Sequence, residues 1–225
     1  MTIQQNIQHI QQRIRSLELK YERPPHSVAL LAVTKKQSIE NIQDAIYAGQ
    51  TEFGENYLQE ALEKIEVFTD QNITWHFIGA IQSNKTQKIA AHFDWVHTVC
   101  DTKIATRLND QRPAHLPPLN ICLQINVSDE KTKSGIRAED ALSLAQYCLT
   151  LPRVKLRGLM TIPMHHNTLA EQRAELRKLC ALFDTLTQDG LKLDTLSMGM
   201  SDDLEAAIAE GATMVRIGTA IFGER

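Results

Sequence analysis

Long apolar runs, paired cysteines and nucleotide-binding glycine signatures are all missing from this chain, and each absence narrows what it can be. No run is long enough to cross a bilayer, and the amino terminus carries no apolar signal core, so membrane insertion and export are disfavoured. The four cysteines, Cys100, Cys122, Cys148 and Cys180, show no C-x-x-C spacing. An oxidising compartment would pair or eliminate them, so reduced thiols in a cytoplasm are expected. His76, His97, His165 and His166 have no ligand spacing with cysteine or carboxylate, so no metal site is expected. The formal net charge of -3, with no basic stripe, argues against a nucleic-acid partner. No G-x-G-x-x-G follows a strand-like run and no G-x-x-x-x-G-K-S/T occurs, which removes support for Rossmann and P-loop readings.

What is present suits one enclosed core. A chain of 225 residues with 43% of them apolar can bury a full core and is most simply a single domain spanning residues 1–225. Ile3, Ile7, Ile10, Ile14 and Leu17 alternate spacings of four and three, which draws one narrow apolar stripe on a Gln-rich helix ended by Pro24 and Pro25. The stripe suits a coiled-coil seam, but so few turns more often pack against the body of the same domain.

Beyond the prolines one pattern repeats: a short apolar run, a polar loop, an amphipathic helix. The strand-like runs are Val28–Thr34, Thr51–Phe53, Trp75–Ile78, Trp95–Val99, Leu119–Asn126, Lys155–Met160, Thr195–Met198 and Met214–Gly218. Helices are expected to start near Ser38, Asn56, Asn84, Thr102, Arg137, Thr168 and Asp202, with a vestigial one after Thr219. Several runs are apolar on both faces, as buried parallel strands require. Strict alternation predicts an α/β fold, either a (β/α)8 TIM barrel with an extra N-terminal helix or an open doubly wound sheet, and the missing nucleotide signature favours the barrel.

In a barrel the first and last strands are neighbours, and chemistry gathers at the carboxyl ends of the strands. Period-two alternation places Leu31, Val33 and Lys35 on one face while Lys36 points the other way. The same rule turns Arg216 inward with Met214, where it needs a partner, a carboxylate across the barrel or a ligand. The loop Ser197-Met198-Gly199-Met200-Ser201-Asp202-Asp203 leads into a helix that Ser201 or Asp202 can cap, with Glu205 at the position Asp202 would favour. Ser201 also offers a hydroxyl to an anion there. After Arg216, Gly218 permits close backbone approach and Thr219 adds an N–H and a hydroxyl, which suits a phosphate. An amine beside a second cation is pushed toward its neutral, nucleophilic form. An aldehyde that also carries a phosphate is pyridoxal 5'-phosphate.

The segments Leu31-Ala32-Val33-Thr34-Lys35, Phe53-Gly54-Glu55-Asn56-Tyr57-Leu58-Gln59-Glu60, Trp75-His76-Phe77-Ile78-Gly79 with Gln82-Ser83-Asn84-Lys85, Lys133-Ser134-Gly135, Arg157-Gly158-Leu159-Met160, Met198-Gly199-Met200-Ser201-Asp202, and Arg216-Ile217-Gly218-Thr219 with Phe222-Gly223 span nearly the whole chain. Together they resemble the pyridoxal phosphate homeostasis protein family. The resemblance implies a barrel like the alanine racemase N-terminal domain. It implies that Lys35 forms an internal aldimine, that Arg216 faces the pyridine nitrogen, that Ser201, Gly218 and Thr219 hold the phosphate, and that Asn56 lies near the ring. The likeness departs after Lys35, where Lys36-Gln37-Ser38 replaces a stretch that in many relatives carries a further lysine and then a proline.

Two functions follow. One is a cytoplasmic carrier that binds pyridoxal phosphate, serves vitamin B6 homeostasis and has PLP-dependent apoenzymes as recipients, without turnover. The other is an amino-acid racemase, which needs a base on each face of the substrate carbon. Related racemases draw the second base, a tyrosine, from an added β domain, whereas this sequence ends at Arg225 directly after the eighth strand. Tyr47, Tyr57 and Tyr147 fall in or at helices, so the carrier is expected, as a monomer.

Overall fold

A computed structural model of the chain describes residues 1–128 and 134–223. Lys133, from one of the quoted segments, lies outside the described residues. Eight parallel strands follow one another around a closed barrel: β1 (Ala29–Val33), β2 (Glu52–Glu55), β3 (Thr74–Phe77), β4 (Trp95–Val99), β5 (Leu119–Gln124), β6 (Val154–Met160), β7 (Thr195–Ser197) and β8 (Met214–Ile217). The last strand pairs back onto the first, with Leu31 beside Arg216 and Ala32 beside Ile217, which excludes the open sheet.

The helices are α1 (Ile3–Lys20), α2 (Ile39–Tyr47), α3 (Leu58–Val67), α4 (Thr86–His92), α5 (Thr102–Gln111), α6 (Ala141–Leu149), α7 (Leu169–Gln188), α8 (Leu204–Ala209) and α9 (Thr219–Phe222). Several begin later than the sequence pattern suggests. Short 3-10 turns, Ser83–Lys85 and Ala138–Asp140, precede α4 and α6 and satisfy backbone groups before the wider helix starts. Strand β2 runs on to Glu55, so Asn56 lies in the loop and α3 starts at Leu58. The cap expected of Ser201 or Asp202 is not formed. Asp203 holds the N-cap position of α8, and its carboxylate turns back to accept from the Met200 N–H at 2.6 Å. Glu205 serves another purpose, accepting from Lys20 Nζ at 2.6 Å and Tyr21 Oη at 2.8 Å.

Strand alternation divides the interior into two regions. Leu30 and Ala32 belong to the main core between barrel and helices, while Leu31 and Val33 join Ile78 and Met214 in a separate apolar cluster on the inner face. The α1 stripe docks on its own domain, with Ile7, Ile10, Ile14 and Leu17 buried. It touches α2, α8 and α9, filling the place in the helical ring that four-residue α9 leaves short. Asn6 Nδ2 donates to the Ile221 carbonyl at 2.7 Å, and Arg23 donates to the Ile208 and Ala212 carbonyls at 3.0 Å each. Among the described residues no helix is long and apolar enough to cross a membrane.

Glu18 anchors the turn from α1 into β1. Its buried carboxylate accepts from the Val28 N–H at 2.9 Å, the His26 N–H at 3.1 Å and Arg15 Nη1 at 2.6 Å. Burial alone would raise its pKa, but these donors together hold it below the ordinary carboxylate value. Its stabilisation is therefore complete above the unfolded pKa and is lost as pH falls through the lower folded one. Glu18→Ala is expected to cost about 1–3 kcal/mol near neutral pH by urea denaturation, with the deficit shrinking in acid as the wild type loses the same contribution.

Candidate functional site at the carboxyl ends of the strands

A cavity of about 760 Å³ opens at the carboxyl ends of the strands, a size suited to a small cofactor. Its lining includes Lys35 just beyond β1, Asn56 beyond β2, Ser201 beyond β7, Arg216 within β8, and Gly218 and Thr219 beyond β8. All six residues singled out in the sequence therefore meet at one cavity. Val33, Ile78 and Met160 supply apolar wall, and Asp202 also reaches it. A cavity of similar size, about 700 Å³, lies between α3 and α4 and gathers none of these residues.

Lys35 owes its place to residues on either side of it. Thr34 donates its hydroxyl to Glu55 Oε1 at 2.6 Å, and its carbonyl accepts from Lys64 Nζ at 2.7 Å. Lys64 Nζ also meets Glu55 Oε1 at 2.7 Å and Glu60 Oε1 at 2.5 Å. On the far side, Lys36 is exposed, has a φ of 61°, and donates its N–H to Glu60. Both peptide planes flanking Lys35 are thus tied to one network joining β1, β2 and α3. Burial pushes the Glu55 carboxyl above its usual pKa, against the pull of Lys64 and the Thr34 hydroxyl.

Arg216 is buried and makes no ion pair across the barrel among the described residues. It donates through Nη1 to Ser197 Oγ at 2.9 Å and through Nη2 to the Thr161 carbonyl at 2.8 Å. Burial lowers its pKa to about 10, with Asp203 opposing the shift, so it remains a cation at neutral pH. Burial also raises the Asp203 carboxyl, against the pull of the Met200 N–H and the Arg216 charge.

Two glycines set the loops. At Gly79 a Cβ would stand 2.0 Å from the Asn56 carbonyl oxygen, so the chain after β3 packs directly on the loop that presents Asn56. Gly199 has a φ of +96°, which most side chains avoid, and a Cβ there would meet Ala207 Cβ at 2.4 Å. Gly218 differs from expectation in part: a Cβ would come 3.3 Å from the Val33 carbonyl oxygen, so close packing on β1 also restricts this position.

The pattern reading left out the buried supporting groups. Glu55, Glu60 and Lys64 carry a signal, the i,i+4 spacing of Glu60 and Lys64, yet nothing in that spacing marks Lys64 as buried. His76 and His97, set aside as unsuited to metal, touch each other inside the barrel. The tyrosines stay away from the cavity: Tyr47 and Tyr57 are exposed, Tyr147 bonds the Thr106 hydroxyl, and Tyr21 bonds Glu205.

A closed eight-stranded barrel with a lysine after the first strand and a buried arginine in the last defines the class of alanine racemase-like barrels. Residues 3–225 match the family described as alanine racemase, N-terminal domain. A pyridoxal phosphate homeostasis protein of Vibrio alginolyticus is 53% identical, covering 100% of this chain and 98% of the relative, and that of Pseudomonas aeruginosa is 54% identical, covering 100% and 96%. Among solved structures, PipY of Synechococcus elongatus with PLP bound is 38% identical, with a TM-score of 0.81 over 93% of this chain and 98% of that one. Alanine racemase of Clostridium difficile shares the fold at 16% identity, with a TM-score of 0.72, covering 100% of this chain and 57% of the racemase. The chain belongs to the pyridoxal phosphate homeostasis protein family.

Removing the cation from the Lys35 support exposes its energetic weight. Lys64→Met leaves Glu55 buried without its partner and is expected to cost about 3–5 kcal/mol by denaturant titration. The double variant Glu55→Gln/Lys64→Met removes the stranded charge as well and is expected to recover much of that loss.

Proposed function

We propose that this chain binds pyridoxal 5'-phosphate in the strand-end cavity and maintains its supply without turning over a substrate. The observation that carries the reading is the meeting of Lys35, Arg216 and the two loops after β7 and β8 at one cavity. The names of the relatives and the bound ligand of PipY point the same way. The residues suit the cofactor in their chemistry: an amine for an aldehyde, hydroxyls and backbone N–H groups for a phosphate, and a cation for a ring nitrogen lone pair. Asn56 Oδ1 is buried with no hydrogen-bond partner among the described residues, as suits a group that a ligand satisfies.

When bound, the cofactor supplies an aldehyde that condenses with an amine and a ring that can accept electrons. Lys35 would hold it through its amine, Ser201, Gly218 and Thr219 would hold the phosphate, and Asn56 and Arg216 would contact the ring. Arg216 stays protonated, so it disfavours a proton on the ring nitrogen and weakens the ring as an electron sink. Racemisation further requires a base on each face of the substrate carbon. Lys35 supplies one, and no tyrosine or histidine lines the cavity among the described residues. The protein accordingly acts as a cytoplasmic, monomeric reservoir that releases pyridoxal phosphate to apoenzymes.

Borohydride reduction of the loaded protein followed by peptide mapping is expected to place the label on Lys35; a label on exposed Lys36 would refute the site. Ser201→Ala and Thr219→Ala are each expected to weaken pyridoxal phosphate binding by about 1.5–3 kcal/mol in a spectroscopic titration, with the fold intact. Incubation with common amino acids in deuterated water is expected to give no α-carbon exchange above a protein-free control. Exchange that vanishes in Lys35→Ala would overturn the carrier reading and restore the racemase alternative.

A further inference from the structure

A chain of buried polar groups crosses the barrel from its amino-terminal end to the cavity. Glu52, the first residue of β2, meets His76 Nε2 at 2.5 Å. His76 Nδ1 meets His97 Nε2 at 2.9 Å, and His97 Nδ1 meets Ser197 Oγ at 2.8 Å. Ser197 Oγ accepts from Arg216 Nη1 at 2.9 Å. His76, His97 and Ser197 are fully buried, whereas the Glu52 side chain is 32% exposed. These four links account for both nitrogens of both rings.

We propose that Glu52, His76, His97 and Ser197 are positioning residues that orient Arg216 through a hydrogen-bond chain with one fixed direction. The direction follows from what each end can do. A guanidinium only donates, so Ser197 Oγ must accept from Arg216. An ionised carboxylate only accepts, so His76 must donate from Nε2 to Glu52. In the proposed chain His76 carries its single proton on Nε2 and presents the Nδ1 lone pair to His97, which then donates from Nε2. This leaves the His97 Nδ1 lone pair facing Ser197, whose hydroxyl donates to it. Every proton points from the cavity toward Glu52, and the Arg216 cation is linked to a carboxylate at the opposite end of the barrel. Such an arrangement fixes both ring tautomers and one Nη of Arg216, while the Thr161 carbonyl fixes the other.

Burial favours a neutral His97 ring. It holds the His97 pKa well below the ordinary histidine value, and the Arg216 charge adds to the effect. Trp95 stacks on His76 with ring centres 5.4 Å apart, and the Arg157 guanidinium covers that indole at 4.6 Å. Asp203 acts on Arg216 from the α8 side, and the Cys122 thiol is raised by burial to about 12, so it stays protonated beside the chain.

The significance for ligand binding rests on the reading that Arg216 faces the cofactor, but the chain itself can be tested without ligand. Nitrogen-15 NMR of the full chain, labelled at histidine and arginine, is expected to show both rings as neutral Nε2–H tautomers near neutral pH. The same spectra are expected to show slow rotation of the Arg216 guanidinium. An Nδ1–H or doubly protonated His97 overturns the proposal. Glu52→Ala, at the exposed end, is expected to release the His76 tautomer and speed guanidinium rotation, with Glu52→Gln intermediate because it keeps an acceptor. Unchanged ring and guanidinium signals in Glu52→Ala also overturn it. The dissociation constant for pyridoxal 5'-phosphate is expected to rise about tenfold in Glu52→Ala, the equivalent of one modest hydrogen bond. If the NMR signals respond and the affinity does not, the chain stands and the placement of Arg216 against the cofactor fails.

Discussion

A buried lysine shared between two carboxylates and a backbone carbonyl holds the entrance of this barrel together. Lys64 reaches from α3 to Glu55 at the end of β2, to Glu60 on its own helix and to the Thr34 carbonyl. Removing such a charge from water is costly, and only several close partners make it tolerable. The partners here come from the ends of β1 and β2 and from α3, so satisfying the ammonium also fixes how these three elements sit relative to one another. Lys35 inherits its position from that arrangement. Its own side chain need not supply the energy that places it.

The two halves of the barrel interior solve different problems. On one side Leu31, Val33, Ile78 and Met214 pack as an apolar cluster, which needs shape alone. On the other, Glu52, His76, His97, Ser197 and Arg216 must satisfy every donor and acceptor, since an unpaired group there costs more than a paired one gains. A polar interior is less forgiving of substitution than an apolar one. It also confers what the apolar side cannot, a single orientation for a buried cation at the edge of the cavity.

The architecture was readable because it rests on periodicity. Runs apolar on both faces mark buried parallel strands, the helical stripes alternate with them, and β4 coincides with its expected bounds, Trp95–Val99. Five of the cavity residues were also accessible, Lys35 and Arg216 from strand alternation and neighbouring first and last strands, and Ser201, Gly218 and Thr219 from the composition of the last two loops, whereas Asn56 came from the family resemblance alone. Helix starts were less accurate. Asp203, not Ser201 or Asp202, begins α8, since neighbouring acidic and hydroxyl residues compete for one cap and tertiary contacts decide among them. The supports of Lys35 and Arg216 were scarcely readable, the i,i+4 spacing of Glu60 and Lys64 being the one local signal. Glu55 meets Lys64 only once α3 has packed back on β2, and His97, 100 residues from Ser197, meets it only across the barrel interior.

The stitching of α1 to α9 bears on how the chain is made. The Asn6–Ile221 hydrogen bond spans 215 residues, and β1 finds its second neighbour only when β8 arrives. Until that strand leaves the ribosome, one edge of β1 has no partner and the isoleucine stripe of α1 has no α9 to pack against. An incomplete nascent chain therefore offers both a sticky helix face and an unpaired strand edge. Closure waits on β8, and the edge of β1 and the α1 stripe stay open until that strand is available.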